Sequence, residues 1–263
     1  MSDRPPSGLE RLWMREELGR TPRLGLSLER VVQSGIELAD GDGMGAVSMK
    51  RVAERLGFTT MAVYRYVTSK DELLLLMQDT VWQPPAGLEK ALGDGQAAPS
   101  EGWRASLSRW TREQQVIMQE HPWLDEVRFI ERAGTPSQIA WIDLGLRTLI
   151  GAPLSEYQKM AVLLLLSGFV SSQARLAATA VDGVRQGTFE RPEQATEAFG
   201  ELLRSVVSPE RFPALVRAVE GGAFAPIDGP TYASFDFGLD LLLDGIDELM
   251  QRQTAAPPSD RPA

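Results

Sequence analysis

Ser48 to Lys70, SMKRVAERLGFTTMAVYRYVTSK, constrains the fold of this chain more than any other stretch. Val52, Ala53 and Leu56 fall at i, i+1 and i+4 and form one apolar stripe at helical spacing. Ser48 stands where an N-cap belongs, its hydroxyl oxygen placed to accept from a first-turn backbone N–H. Gly57 follows Leu56 and supplies the positive φ of a sharp helix-ending turn. Thr59 or Thr60 caps a second helix, whose inward face carries Val63 and Val67, four apart. Its outward face displays Thr60, Met61, Ala62, Tyr64 and Arg65, and a third helix starts just after Ser69. A buried stripe opposite small, polar and aromatic side chains suits a helix lying in the DNA major groove. Two helices about a glycine turn make a helix-turn-helix.

The longer run LSLERVVQSGIELADGDGMGAVSMKRVAERLGFTTMAVYRYVTSKDEL, Leu26 to Leu73, resembles the DNA-binding domain of tetracycline-repressor-type (TetR family) transcriptional regulators. The resemblance rests on the alanine- and leucine-patterned first helix, Leu56-Gly57, Tyr64, and Ser69-Lys70-Asp71-Glu72-Leu73 opening the next helix. It implies that Lys50, Thr60, Met61 and Ala62 face base edges. By the same mapping Ser48, Tyr64, Tyr66 and Lys70 touch phosphate, and Arg65 does either. Phe58 stands where the family usually has a smaller β-branched residue, Ala62 where a hydroxyl residue is common, and Val67 where Phe is frequent. The first and third of these concern packing, whereas Ala62 faces DNA, so base preference does not transfer from relatives. FDFGLDLLLDGIDEL, Phe235 to Leu249, is similar to the C-terminal helix of regulators with the tetracycline-repressor type of ligand domain.

A formal charge of −9 is awkward for a DNA-binding protein until it is located. Residues 1–70 hold 11 Lys/Arg against 9 Asp/Glu, which leaves 16 against 27 in residues 71–263 from chain totals of 27 and 36. The chain is thus a mildly basic head on an acidic body, and screening over ~8 Å at physiological salt weakens the body's repulsion of phosphate. There is no cysteine, so disulfides and thiolate metal sites are excluded, which suits a reducing compartment. No basic start is followed by an apolar core, and the longest apolar run, Ala161 to Leu166, falls short of the ~20 residues of a spanning helix. A cytoplasmic protein without a membrane segment is expected.

Helical periodicity recurs throughout, and no segment alternates convincingly as a strand, so the expected fold is all-α. Residues 1–25 form an N-terminal extension: MSDRPPSG, a short amphipathic helix over Leu9–Leu18, then a basic arm with Arg20 and Arg23. That arm is either a DNA contact or a solvated linker. Residues 26–70 form the three-helix DNA-binding domain, residues 71–252 a helical-bundle ligand-binding and dimerisation domain, and residues 253–263 a disordered tail. Gly41-Asp42-Gly43-Met44-Gly45 follows a helix rather than a strand and reads as a turn, not a phosphate loop. Ser69 to Trp82 is apolar nearly all round, as a connector between head and body should be. Further helices are expected from Glu101 to His121 and over Trp123–Ala133, Ser137–Ile150, Ser155–Val181, Glu193–Val206, Pro209–Glu220 and Thr231–Gln253, with Ala86–Ser100 a loop or short helix.

Phe235, Leu239, Leu242, Ile246 and Leu249 mark one face of the last helix, with Gly238 and Gly245 seven apart on a neighbouring one. Glycine inside a helix costs ~1 kcal/mol against alanine, so close approach of another helix is expected there. Ser155–Val181, with Gly168 among serines, has the same small-residue character, and the two helices are the expected homodimer face. One histidine and scattered carboxylates offer no catalytic set and call for no cofactor or metal, so an enzyme is not expected. His121, beside Pro122, reads as capping or structural. Trp103, Trp110, Met118, Trp141 and Phe169 are candidates to line an apolar ligand pocket, or equally to fill a core.

The function expected is that of a homodimeric repressor on a palindromic operator, released by a small, largely hydrophobic effector. The alternatives are an activator or ligand-independent regulator with the same head, or a helical enzyme or carrier with a relic head.

Overall fold

The computed structural model describes residues 9–10, 12–14, 25–93, 95–126, 134–185, 187–225 and 233–255. Among them the secondary structure is helical, with no strand. In order the helices are α1 (Leu28–Asp42), α2 (Met49–Leu56), α3 (Thr60–Tyr64), α4 (Lys70–Val81), α5 (Ala86–Leu92), α6 (Trp103–Glu120), α7 (Pro136–Thr148), α8 (Glu156–Arg185), α9 (Glu193–Val206), α10 (Pro213–Glu220) and α11 (Ala233–Ala255). Short 3-10 helices occupy Met44–Ala46 and Pro122–Glu126. The described residues up to 170 and from 246 onward form one compact unit, and those from 171 to 245 a second.

Each head helix starts on a side-chain oxygen that satisfies an otherwise unpaired first-turn N–H. Ser27 accepts from Arg30 N at 3.3 Å, Ser48 from Arg51 N at 3.2 Å and Ser69 from Glu72 N at 3.1 Å. For α3 the cap is Thr59, which accepts from Ala62 N at 3.3 Å; Thr60 is the first helical residue. Gly57 ends α2 in the left-handed conformation, φ 74°, and Phe58 N then closes on Ala53 O at 3.0 Å. The Glu72 carboxylate turns back to accept from Thr68 N and Thr68 Oγ1, both at 2.7 Å, which ties the end of the recognition segment to the start of α4.

Helix α4 serves two sets of neighbours. Leu73 and Met77 are fully buried, and α1 comes close to them at Gly35. A Cβ at Gly35 would stand 2.7 Å from Met77 Sδ and 3.5 Å from Leu73 Cδ1, so any side chain there must displace the buried Met77. Expected to be apolar nearly all round, α4 in fact buries three polar side chains, Glu72, Gln78 and Asp79. Beyond it, Trp82, Trp110 and Trp141 form a cluster with successive ring centroids 6.1 Å apart in edge-to-face geometry. Trp110 Nε1 donates to Trp141 O at 2.9 Å and Trp141 Nε1 to Trp82 O at 2.7 Å, so these large side chains enter the core with those N–H groups paired.

On α6 Gln114 and Ile117 are buried in line with Leu107 and Trp110, while a 3.6-residue turn carries Val116 off that stripe into solvent. Gln114 is accommodated by Ser167 Oγ, which donates to its Oε1 at 3.0 Å. On α11 the buried positions are Phe235, Leu239, Leu243, Ile246 and Met250, so Leu243 and Met250 replace Leu242 and Leu249. Of the helix expected over Trp123–Ala133, Pro122–Glu126 is a 3-10 helix and residues 127–133 lie outside the described residues. The basic arm around Arg20 and Arg23 and the tail beyond Ala255 also lie outside them.

Within the second unit, α9 and α10 are short amphipathic helices. The Phe199 and Phe224 rings meet edge-to-face at 5.5 Å, and a Cβ at Gly200 would stand 2.7 Å from that of Phe224.

Replacing Gly35 by valine drives two methyl groups towards Met77 and Leu73. Thermal unfolding should show a loss of about 1–3 kcal/mol, the usual cost of overpacking; an unchanged Tm would show that α1 and α4 are not held in close contact.

Candidate nucleic-acid interface

Val63 and Val67 are fully buried and set which way α3 faces. The opposite side is in solvent: Met61 is 74% exposed, Tyr64 42% and Phe58, in the turn, 40%. Thr60 and Ala62 are half-buried, and Arg65, Tyr66 and Lys70 are exposed. Of the residues nominated from the sequence, Thr60, Met61, Ala62, Tyr64 and Arg65 thus sit on α3 or its C-cap. Lys70 opens the next helix, while Ser48 and Lys50 flank the first turn of α2. Phe58, expected to pack, leaves much of its ring in water.

Other groups are already engaged. Arg51 pairs with Asp42 at 2.7 Å and Arg55 with Glu37 at 2.9 Å, both at the surface, clamping α2 to α1. Such exposed pairs contribute ~0–1 kcal/mol each. Lys50 Nζ lies 3.7 Å from Glu54. The Tyr66 hydroxyl donates its one proton to Leu26 O at 2.7 Å, so it holds the start of α1. Ser48 Oγ carries the α2 cap. Lys70 is a cation in a helix first turn that also holds Asp71 and Glu72. The helix dipole favours the anions there and not the lysine.

Two carboxylates tie α1 and α4 to later parts of the chain. Asp40, near the end of α1, accepts from Trp123 Nε1 at 2.7 Å, and His121 Nδ1 lies 2.8 Å from the same oxygen, Oδ1. Asp79 of α4 accepts from both Ser137 N at 3.0 Å and Ser137 Oγ at 2.6 Å, again through Oδ1. The second contact places a buried carboxylate at the N-terminal turn of α7, where the helix dipole and a free N–H compensate its desolvation. Near that turn, Gly134 O accepts from Trp13 Nε1 at 2.9 Å and Gly134 N donates to Gln138 Oε1 at 2.9 Å. Reading the sequence alone missed both joints. The available signals were an acid at the unfavourable end of α1 and an acid within an apolar helix.

The five residues nominated for a ligand pocket do not gather at one cavity. Trp110 and Trp141 are buried against each other, Met118 is buried, Phe169 is half-buried on α8, and Trp103 borders an open groove of about 640 Å³. The groove runs between Pro99, Trp103, Ile150, Pro153, Met250 and Ala255. Just before α6, Glu101 accepts from Arg109 at 2.8 Å; Arg109, with help from Ser106, holds its carboxyl below the usual carboxylate range. Among the described residues, Gln78 Oε1 and Ser34 Oγ are buried without a hydrogen-bond partner. No group of three His, Cys, Asp or Glu among the described residues could hold a metal ion.

A capped, glycine-turned helix pair with an outward-facing second helix defines a DNA-binding transcriptional regulator. Residues 31–77 match the bacterial regulatory proteins of the tetR family, and residues 96–250 match the tetracyclin repressor-like C-terminal domain. The chain is 33% identical over 255 residues to the HTH-type transcriptional repressor DrrR1 of Streptomyces coeruleorubidus, covering 95% of this chain and 88% of that one. It is 24% identical over 237 residues to an HTH-type transcriptional regulator of Saccharopolyspora erythraea, covering 89% and 90%. In fold it resembles apo ActR of Streptomyces coelicolor, with TM-score 0.65 and 21% identity over 88% of this chain and 99% of that one. ActR in complex with actinorhodin gives TM-score 0.64 and 22% identity over 85% and 96%. The chain belongs to the TetR family of transcriptional regulators.

Asp79→Asn keeps the side-chain shape but removes the charge from the joint at Ser137. Folding stability should fall by about 1–3 kcal/mol, the usual worth of hydrogen bonds to a charged group, in a urea titration. Asp79→Ala should fall further, because Ser137 is then left without its acceptor. Equal stability of all three proteins would remove the joint from the account.

Proposed function

We propose that this protein is a homodimeric repressor that binds a palindromic operator and releases it when a small, largely apolar molecule enters the body. Residues 26–70 are then the DNA-binding head and residues 71–252 the ligand-binding and dimerisation body. The observation that carries the reading is the solvent-facing side of α3, opposite two fully buried valines. Lys50, Thr60, Met61 and Ala62 address base edges, Ser48, Tyr64 and Lys70 address phosphate, Tyr66 joins them when its hydroxyl leaves Leu26 O, and Arg65 reaches either. One such head is too small for tight specific binding; two, ~34–36 Å apart, match successive turns of the duplex.

The dimer reading is supported by α8. Tyr157 is 82% exposed and Leu164 67%, and Met160, Leu165 and Leu176 lie exposed on the same helix. Nothing lies within 4 Å of where a Cβ at Gly168 would stand, so the stripe offers a flat place for another helix. On α11, taken by itself, Phe237 and Leu241 are exposed and the Cβ position of Gly245 is likewise open. By length and composition alone Glu156–Thr179 equals a membrane span. Its buried side, Val162, Leu163, Leu166 and Val170, and its Ser167–Gln114 bond favour a bundle helix whose other side meets a second copy. A cytoplasmic protein in contact with DNA follows from this reading.

The DrrR1 relative supports repression, and the ActR structure, by its bound actinorhodin, supports a ligand in the body. In this chain the partnerless Gln78 Oε1, buried on the same helix as the Asp79 joint, suits a donor on the effector. An effector that shifts α4 or α7 acts on the head through Asp79–Ser137 and Asp40–Trp123, and a coupling of ~1–3 kcal/mol suffices to release DNA.

In gel shifts on DNA upstream of its own gene, Tyr64→Phe and Lys70→Ala should weaken binding several-fold while the dimer stays folded; full binding by both variants would refute the interface. Gln78→Met removes an orphaned acceptor at nearly constant volume, so Tm should rise while more effector is needed for release. A fall in Tm with unchanged release would place the effector elsewhere.

A further inference from the structure

The outward side of α3 is short of the groups that usually read bases. From Thr60 to Tyr64 it carries no Arg, Lys, Asn, Gln, Asp or Glu, and its hydrogen-bonding side chains are the hydroxyls of Thr60 and Tyr64. Bidentate reading of guanine takes Arg or Lys, and that of adenine takes Asn or Gln. The helix itself can supply neither. Arg65 lies at its C-cap, and Lys50 lies on α2 beside Glu54.

What the helix does present is apolar. Met61 is 74% exposed, the largest fraction among the large apolar side chains of the head, with Phe58 standing out from the turn on the approach to α3. Ala62 is small and half-buried, so the backbone can approach the groove floor beside Met61. An unbranched side chain held in water gains by meeting an apolar surface. In the major groove the apolar group on a base edge is the thymine 5-methyl.

We propose that Met61 is a specificity-determining residue that reads a thymine methyl in each half-site. The proposal rests on the operator-binding reading above and goes beyond it by naming the base feature recognised. Burying one methyl is worth about a four-fold change in affinity, so losing it in both half-sites should cost about ten- to twenty-fold.

The test uses the full-length protein and a random duplex library. The enriched palindrome is then synthesised with uracil in place of each thymine in turn, which removes the methyl and leaves Watson–Crick pairing intact. The expected result is one symmetry-related thymine whose replacement weakens binding about four-fold per half-site. Met61→Ala should bind the thymine and uracil duplexes alike, and Met61→Leu should restore the difference. An enriched operator that is indifferent to uracil throughout, or a thymine preference that survives in Met61→Ala, overturns the proposal while leaving operator binding intact. A library that yields no enriched sequence overturns the operator reading and the proposal with it.

Discussion

Helix α4 has twelve residues in which to satisfy two sets of neighbours, and the remainder of the unit is arranged around that requirement. Its Leu73 and Met77 are fully buried, and they set how closely α1 approaches at Gly35. Its Asp79 caps α7, and the chain just beyond its end accepts the indole of Trp141. A helix apolar on all sides would have buried itself in any orientation. Two of its buried polar groups, Glu72 and Asp79, remove that freedom, because each finds its partners in one direction only.

The same economy appears in the recognition segment. Four side-chain oxygens, on Ser27, Ser48, Thr59 and Ser69, start four helices within some fifty residues, so short elements that would be marginal alone are held in register. Glu72 adds a bond back to Thr68, which fixes the direction in which the chain leaves α3. The outward residues of α3, Met61 and Tyr64, carry none of these caps and stand in solvent.

The head was legible because its signals are local. A cap, a stripe with a helical period and a glycine at a helix end all lie within a few residues of one another, and the structure places them as read, with Thr59 taking the cap left open between two threonines. Less was legible where the determining partner lies far along the chain. Asp40 and His121 are 81 positions apart, and Asp79 and Ser137 are 58 apart. No spacing rule connects such pairs, so an acid that stands out on its own helix does not name its partner. The tryptophans show the opposite difficulty. Their size marked Trp103, Trp110 and Trp141 as important, but size does not separate a residue that fills a core from one that borders a groove. The slip from Leu242 and Leu249 to Leu243 and Met250 on α11 shows how small an error in phase turns a face.

Both joints, one from α1 to the chain around Pro122–Glu126 and one from α4 to α7, converge on a single carboxylate oxygen, Oδ1 of Asp40 and Oδ1 of Asp79, each serving two side-chain or backbone partners. A small displacement of either carboxylate therefore strips two partners at the same moment, and sliding the contact sideways leaves neither in reach of that oxygen. Intermediate positions are the costliest ones. Connections of this kind behave as latches rather than springs, so α1 and α4 are each seated against their partners at one position and not over a continuous range.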